Sequence, residues 1–217
     1  GDGTDTLTIS DDGSTLTDNH FTFVSGMEKL TYSDGGAISL IVGAGFTTAF
    51  ATGATITAAG MDMDANITIN TGLYDVATTV TITTVTDGDV AGNDLSITTG
   101  DAADTVTLTA AAFVAGGGAD GGAIIISTAG GDDTITLATA DLSNAATSQA
   151  VTINPGTGQD TITVTKAAND TGLGFALYTV DAGDSLVTAP DKITGYDVSD
   201  GTETSDGLDF TGTSAVS

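Results

Sequence analysis

The 217-residue chain contains no cysteine, no tryptophan and no arginine, and only three lysines, one histidine and two prolines. Each shortage removes a class of chemistry. Without cysteine there are no disulfides and no thiolate metal centres. Three lysines against 29 acidic residues give a formal charge of −26, so nothing here neutralises phosphates, and nucleic acid and anionic membranes are excluded as partners. His20, in TDNHFTF, is the sole histidine, so any Ser-His-Asp triad would have to run through it. No apolar run reaches the ~18 residues needed to insert into a membrane. Aromatic residues are scarce, which leaves little for stacking on sugars. Sugar-cleaving chemistry that leans on a positioned Arg or Lys has no arginine to use and only three lysines. Lys29, Lys166 and Lys192 are far apart in sequence. The expectation is that the chain is not an enzyme.

What is abundant points to strands and turns. Of the acids, 27 are Asp and only Glu28 and Glu203 are Glu; Thr reaches 43 residues and Gly 30. Asp and Gly favour tight turns, Thr with Val and Ile favours strands, and Asp is also a short, stiff oxygen ligand. A hydrophobic share of 40% argues against disorder from charge alone.

Internal repetition organises the chain. Residues 67–94, 95–122, 123–150 and 151–176 align as four units of 28, 28, 28 and 26 residues, each with a strand, a Gly/Asp turn, a Thr–apolar strand and a longer return. Such a unit cannot bury a core alone but can share one with stacked neighbours. In Thr105-Val106-Thr107-Leu108-Thr109 the alternation predicts Val106 and Leu108 inside and the threonines outside; Ile135 and Leu137, then Ile162 and Val164, take the inner role in later units. The reading is all-β: one parallel β-solenoid with coils of ~28 residues. Its irregular first coils occupy 1–66, regular coils 67–176, and a degenerate end coil with a tail 177–217. The chain begins inside a motif at Gly1, which predicts a segment of a longer protein.

Aligned repeats stack Asp104, Asp133, Asp160 and, in the last coil, Asp184 into one column, with Asp5 in the same setting. Gly1 and Gly3, and Gly156 and Gly158, occupy the positions four and two before Asp5 and Asp160; Gly131 and Gly100 fill one such position each. Coils lie ~4.8 Å apart. Unpaired carboxylates at that spacing repel each other unless a cation intervenes, and carboxylates with exposed carbonyls, without His or Cys, suit a hard cation such as Ca²⁺. Asp101 and Asp132 lie in the same turns, and Asp181 in the last. A second acidic column is read in the returns: Asp62 and Asp64 in MDMDAN, then Asp87 and Asp89 in TDGDVAGND. MDMDAN is not an EF-hand, because Ile67 stands where Gly is required and no Glu closes the loop.

GDGTDTLTI and GTGQDTITV carry the GxGxDxU pattern, with GGDDTITL and GDAADTVTL matching it in part. In these segments the chain resembles the RTX family of calcium-binding β-rolls. PDKITGYDVSDGTETSDGLDF resembles a segment that follows such repeats, and FVSGMEKLTYSD is similar to one found in large repetitive surface proteins. The resemblance implies turns that bind calcium, export of an unfolded chain, and folding on meeting extracellular calcium. RTX rolls repeat every nine residues, whereas this chain repeats near 28 with one such turn per coil. The leading expectation is an extracellular, calcium-stabilised structural segment of a bacterial surface layer, filament or large secreted protein, joined to copies of itself or to more chain. Two alternatives stand beside it: an adhesin module for a host or glycan ligand, and an ice-binding face. The latter is suggested by outward Thr-x-Thr pairs, read as Thr81/Thr83, Thr105/Thr107, Thr134/Thr136 and Thr161/Thr163, ~7 Å apart along the strand.

Overall fold

A computed structural model describes residues 2–10, 13–33, 38–62, 66–87, 95–109, 111–113, 123–140, 151–166, 176–179, 184, 188–195 and 207–209. The Thr–apolar alternation becomes a stack of parallel strands. One sheet, the threonine sheet, contains β1 (Thr6–Ile9), β3 (Lys29–Tyr32), β5 (Ala54–Ala58), β8 (Thr78–Ile82), β11 (Thr105–Leu108), β14 (Thr134–Ala140), β16 (Thr161–Lys166) and β18 (Lys192–Thr194), neighbours in that order. The opposite sheet contains β2 (Thr15–Thr17), β4 (Ser39–Ile41), β7 (Ile67–Asn70), β10 (Leu95–Thr98), β13 (Ile124–Ser127), β15 (Val151–Asn154), β17 (Ala176–Thr179) and β19 (Gly207–Asp209). A small third sheet joins β6 (Met61–Asp62), β9 (Val85–Asp87) and β12 (Ala111–Phe113). Apart from β6, β9 and β12, consecutive strands alternate between the two large sheets, and each sheet is parallel, so the chain is a β-solenoid.

The register gives the coil length directly. Thr6 pairs with Lys29, 23 residues on, Thr105 with Thr134, 29 on, and Thr161 with Lys192, 31 on. The repeat is therefore near the expected 28 in the middle and drifts at both ends, where the sequence repeats are imperfect.

Between the sheets runs one apolar column per inward position. Val80, Val106, Ile135 and Ile162 follow one another in register, as do Ile82, Leu108, Leu137 and Val164, and all are at most 2% exposed. The opposite sheet contributes Ile67, Leu95, Ile124 and Val151, and Ile69, Ile97, Ile126 and Ile153. Burying each such side chain contributes about 1.5–3 kcal/mol, and none could be buried by a single coil in isolation.

The first coils depart from this plan around a cluster of aromatic residues. A short helix, α1 (Ala44–Ala49), and a 3-10 turn over Asp18–Phe21 widen the corner of the coil. Phe21 meets Phe46 edge-on at 5.0 Å, Phe46 stacks on Phe50 at 4.4 Å, and Tyr74 closes edge-on against Phe46 at 5.2 Å. The Tyr74 hydroxyl donates to the Phe50 carbonyl, satisfying its polar tip inside the cluster. Asp18 fastens the corner by accepting the N–H groups of Gly43, Gly45 and Phe46 at 2.8, 2.9 and 2.9 Å. Those three donors hold its carboxyl below the usual carboxylate range.

Candidate functional site

Asp104 lies two residues before Val106, and strand parity places its side chain on the inward face with Val106 and Leu108. The structure places it there: Asp104, Asp133 and Asp160 are 2%, 1% and 0% exposed. Each carboxylate reaches back one coil to a backbone donor. The Asp104 Oδ1 accepts the N–H of Thr78 at 2.6 Å, Asp133 Oδ1 that of Asp104 at 2.7 Å, and Asp160 Oδ1 that of Asp133 at 2.8 Å. Asp191 continues the series by accepting the N–H of Asp160 at 3.0 Å. At the other end of the stack Glu28 does the same for Asp5, Oε2 to N at 2.7 Å. Where the column carries Ala54 and Thr78 instead, the N–H of Ala54 turns to the carbonyl of Ala77.

This ladder fills the column that the sequence alignment marked, with one change of member. Asp191, not Asp184, is in register with Asp160, because Lys192 pairs with Thr161 across a coil of 31 residues. Asp184 is buried beside the ladder, and its carbonyl accepts the N–H of Gly158. The longer coil hid Asp191 from an alignment of fixed period.

Burial is the main influence on these acids. It pushes the Asp133 carboxyl up to about 7 and the Asp160 carboxyl up to about 6, and raises that of Asp104, against the partly compensating backbone donors. The second oxygens, Oδ2 of Asp104, Asp133 and Asp160, are buried with no hydrogen-bond partner, an arrangement costly for an ionised carboxylate and mild for a protonated one. Stacked carboxyls therefore coexist through backbone donors and a raised affinity for protons.

The same geometry decides how the inward column fits a calcium ion. Its Oδ1 atoms face N–H donors, which repel a cation, and among the described residues no group of three or more acidic or histidine side chains converges. The buried ladder does not fit a Ca²⁺ site. The remaining candidates are dispersed. Asp101 and Asp132 are exposed on successive turns, and Asp132 Oδ1 accepts the N–H of Gln159 at 3.0 Å. Asp5 is half-buried and Gly3 exposed. Gly156 and Gly158 have φ of 78° and 151°, and at Gly156 a Cβ would collide with the carbonyl of Ala129 in the coil before. These glycines serve close coil stacking. Asp62 and Asp87 lie in β6 and β9, which pair in the small sheet through Asp62↔Thr86. Gly1, Asp64, Asp89 and Asp181 lie outside the described residues.

The second feature is on the outside of the threonine sheet. One rank runs Thr8, Thr31, Thr57, Thr81, Thr107, Thr136, Thr163, Thr194, with threonine at every rung. The rank beside it runs Thr6, Lys29, Thr55, Thr79, Thr105, Thr134, Thr161, Lys192. The pair in β8 is therefore Thr79/Thr81 and not Thr81/Thr83; Thr83 follows the strand, its N–H bonded to the Ala58 carbonyl. In the same column Thr31 and Thr57 bring their hydroxyls to 3.1 Å. The outward positions of the opposite sheet are mixed: Ile41 and Ile125 are 49% and 39% exposed, with Asn70, Ser127 and Asn154 in the same ranks.

His20 is exposed and bonds locally, its Nδ1 lying 3.1 Å from the Thr17 N–H as part of the turn that starts the widened corner. Comparison of the chain with protein-family models, with curated proteins and with solved structures found no match.

Proposed function

We propose that the chain is a rigid structural segment of an extracellular bacterial assembly, such as a surface layer, a filament or a large secreted surface protein. The observation that carries this reading is the continuous pair of eight-stranded parallel sheets around one core, in which every coil is held by its neighbours. Such a stack resists bending and extension along its axis because separating two coils breaks two strand ladders together and, except where Ala54 or Thr78 takes the acceptor's place, an acid–backbone bond as well. A shallow groove by Tyr32 is lined by Thr, Ser and Ala side chains.

Calcium enters this reading through the exposed turns and not through the buried ladder. Asp101 and Asp132 are solvent-facing acids on adjacent coils of a chain with charge −26, and a divalent cation in the medium screens their repulsion. The cation then adds stability to a stack that already holds itself together. The terminal strands of the two sheets, β1 and β2 at one end and β18 and β19 at the other, are where more chain or another copy would continue the stack.

Antibodies raised against the folded chain test the location on intact cells of the producing bacterium. Labelling of unpermeabilised cells is expected. Labelling seen only after permeabilisation overturns the extracellular assignment.

A further inference from the structure

The threonine sheet carries a surface that a structural rod does not require. Its two outward ranks are filled by threonine at every rung except the two occupied by Lys29 and Lys192. Strand preference alone does not produce this, because the opposite sheet has the same number of strands, the same pairing and a mixed exterior. Charge distribution points the same way. The chain has 29 acidic residues, yet none stands in either rank.

Geometry sets what could bind. Rungs repeat at ~4.8 Å between strands and threonines at ~7 Å within a strand, so the face is a two-dimensional lattice of hydroxyls and methyls about 34 Å long. The register across both ranks is unbroken, and the shift in β14 comes after Leu137, past Thr134 and Thr136. A shallow, open trough of about 350 Å³ follows the rank that begins at Thr8, past Thr31, Thr57 and Thr81. A small soluble ligand needs an enclosed pocket with a few convergent groups, whereas this trough is open and lined by Thr, Ser and Ala beside Tyr32. A crystalline polysaccharide would be held through aromatic stacking, and no aromatic side chain stands in either rank. A second copy would bring a further −26 of charge toward the face. A neutral periodic solid remains, one whose surface both donates and accepts hydrogen bonds at a repeat comparable to the rungs.

We infer that the threonine sheet is an ice-binding face, on which the hydroxyl lattice orders water in register with the crystal while the threonine methyls limit competing hydration. The inference goes beyond the structural role and does not depend on where the chain resides.

Ice recrystallisation and thermal hysteresis assays on the purified chain test it, together with two variants. Thr107→Lys places a charge mid-lattice, and Ser96→Lys places the same charge on the opposite sheet. Both positions point outward, and melting curves establish that each variant is folded. The expected result is inhibition of ice growth by the parent chain and by Ser96→Lys, and its loss in Thr107→Lys. No effect of the parent chain on ice overturns the inference, as does equal loss in both folded variants. Sedimentation of the parent chain and a pull-down on crystalline cellulose and chitin complete the test. Self-association that Thr107→Lys abolishes, or retention on a polysaccharide without activity on ice, assigns the face elsewhere. Cell-surface labelling is unaffected by any of these outcomes, so failure here is distinct from failure of the structural reading.

Discussion

Asp133 accepts the backbone N–H of Asp104 at 2.7 Å from the next coil, and Asp104 in turn accepts the N–H of Thr78. A side chain here does what a backbone carbonyl does elsewhere in the sheet, just before the strand ladder begins. Removing it leaves a buried donor unsatisfied. Asp133→Ala is expected to lower stability by about 1–3 kcal/mol. Asp133→Asn keeps the Oδ1 acceptor without a charge and is expected to match or exceed the parent near neutral pH. Urea unfolding of the two variants against the parent measures both, and equal destabilisation by Ala and Asn would show that the charge, not the acceptor, matters.

The raised acids make stability depend on pH in a stated direction. The Asp133 carboxyl stands at about 7 and that of Asp160 at about 6, against an ordinary value of 3.8. The folded chain thus holds these protons more tightly than the unfolded chain. The stability they contribute is fully present below the unfolded value and is lost as pH rises through about 6 to 7. Asp18 acts oppositely: its carboxyl is lowered, so its contribution disappears as pH falls below the ordinary value. Melting temperature is therefore expected to rise as pH falls from about 8 to about 5 and to turn down at more acid pH. Relief of the general negative charge acts in the same direction, so the specific test is the slope. Asp133→Asn should flatten the rise in calorimetry, and an unchanged slope would remove Asp133 from the explanation.

Much of the fold was legible in the residues. The Thr–apolar alternation located β11, β14 and β16 and their inward side chains, because burial on one face forces period two. The repeat predicted stacking for the same reason that a lone coil cannot bury Val106 and Leu108. Parity also held a signal that residue chemistry obscured: Asp104 shares its face with Val106 and Leu108. An acid so placed is a buried acceptor, although carboxylates beside glycines suggest a metal turn. Asp191 and the pair Thr79/Thr81 escaped because coil length varies, and only backbone pairing fixes a register that slips. The aromatic corner of Phe21, Phe46, Phe50 and Tyr74 was not legible, since Phe21 and Tyr74 are far from the Phe46–Phe50 pair in sequence and the four follow no repeat.

That corner yields its own expectation. Asp18 gathers three N–H groups that begin α1, and a Cβ at Gly45 would come within 2.6 Å of the Asp18 carbonyl oxygen. Asp18→Ala is expected to cost about 1 kcal/mol, the scale of a lost helix cap. Hydrogen exchange should show the loss confined to residues 38–58, with the later coils unaltered. Loss of protection throughout the stack would mean that the first coils nucleate the rest.

Tight stacking at the turns can be probed from both sides. Gly156 has φ of 78° and no room for a Cβ against the Ala129 carbonyl, so Gly156→Ala should destabilise strongly or prevent folding. Ala129 itself has φ of 58°, a conformation that glycine adopts without strain, and its carbonyl accepts the N–H of Thr157 at 2.8 Å. Ala129→Gly is expected to be neutral or to stabilise by up to about 1 kcal/mol. Thermal melts of the two variants check the pair, and a stable Gly156→Ala protein would refute the close approach.

Whether the coils hold together through their own acids or through a metal is decided by unfolding the chain without one. Circular dichroism and calorimetry in EDTA at about pH 6, followed by addition of millimolar calcium, provide the measurement. A β spectrum and a cooperative melt in EDTA, with the melting temperature moved up only modestly by calcium, are expected from a ladder in which Asp104, Asp133 and Asp160 bond to backbone N–H groups. A chain that is unfolded in EDTA and folds on adding calcium would contradict it, and would return the acid column to the role of a metal site.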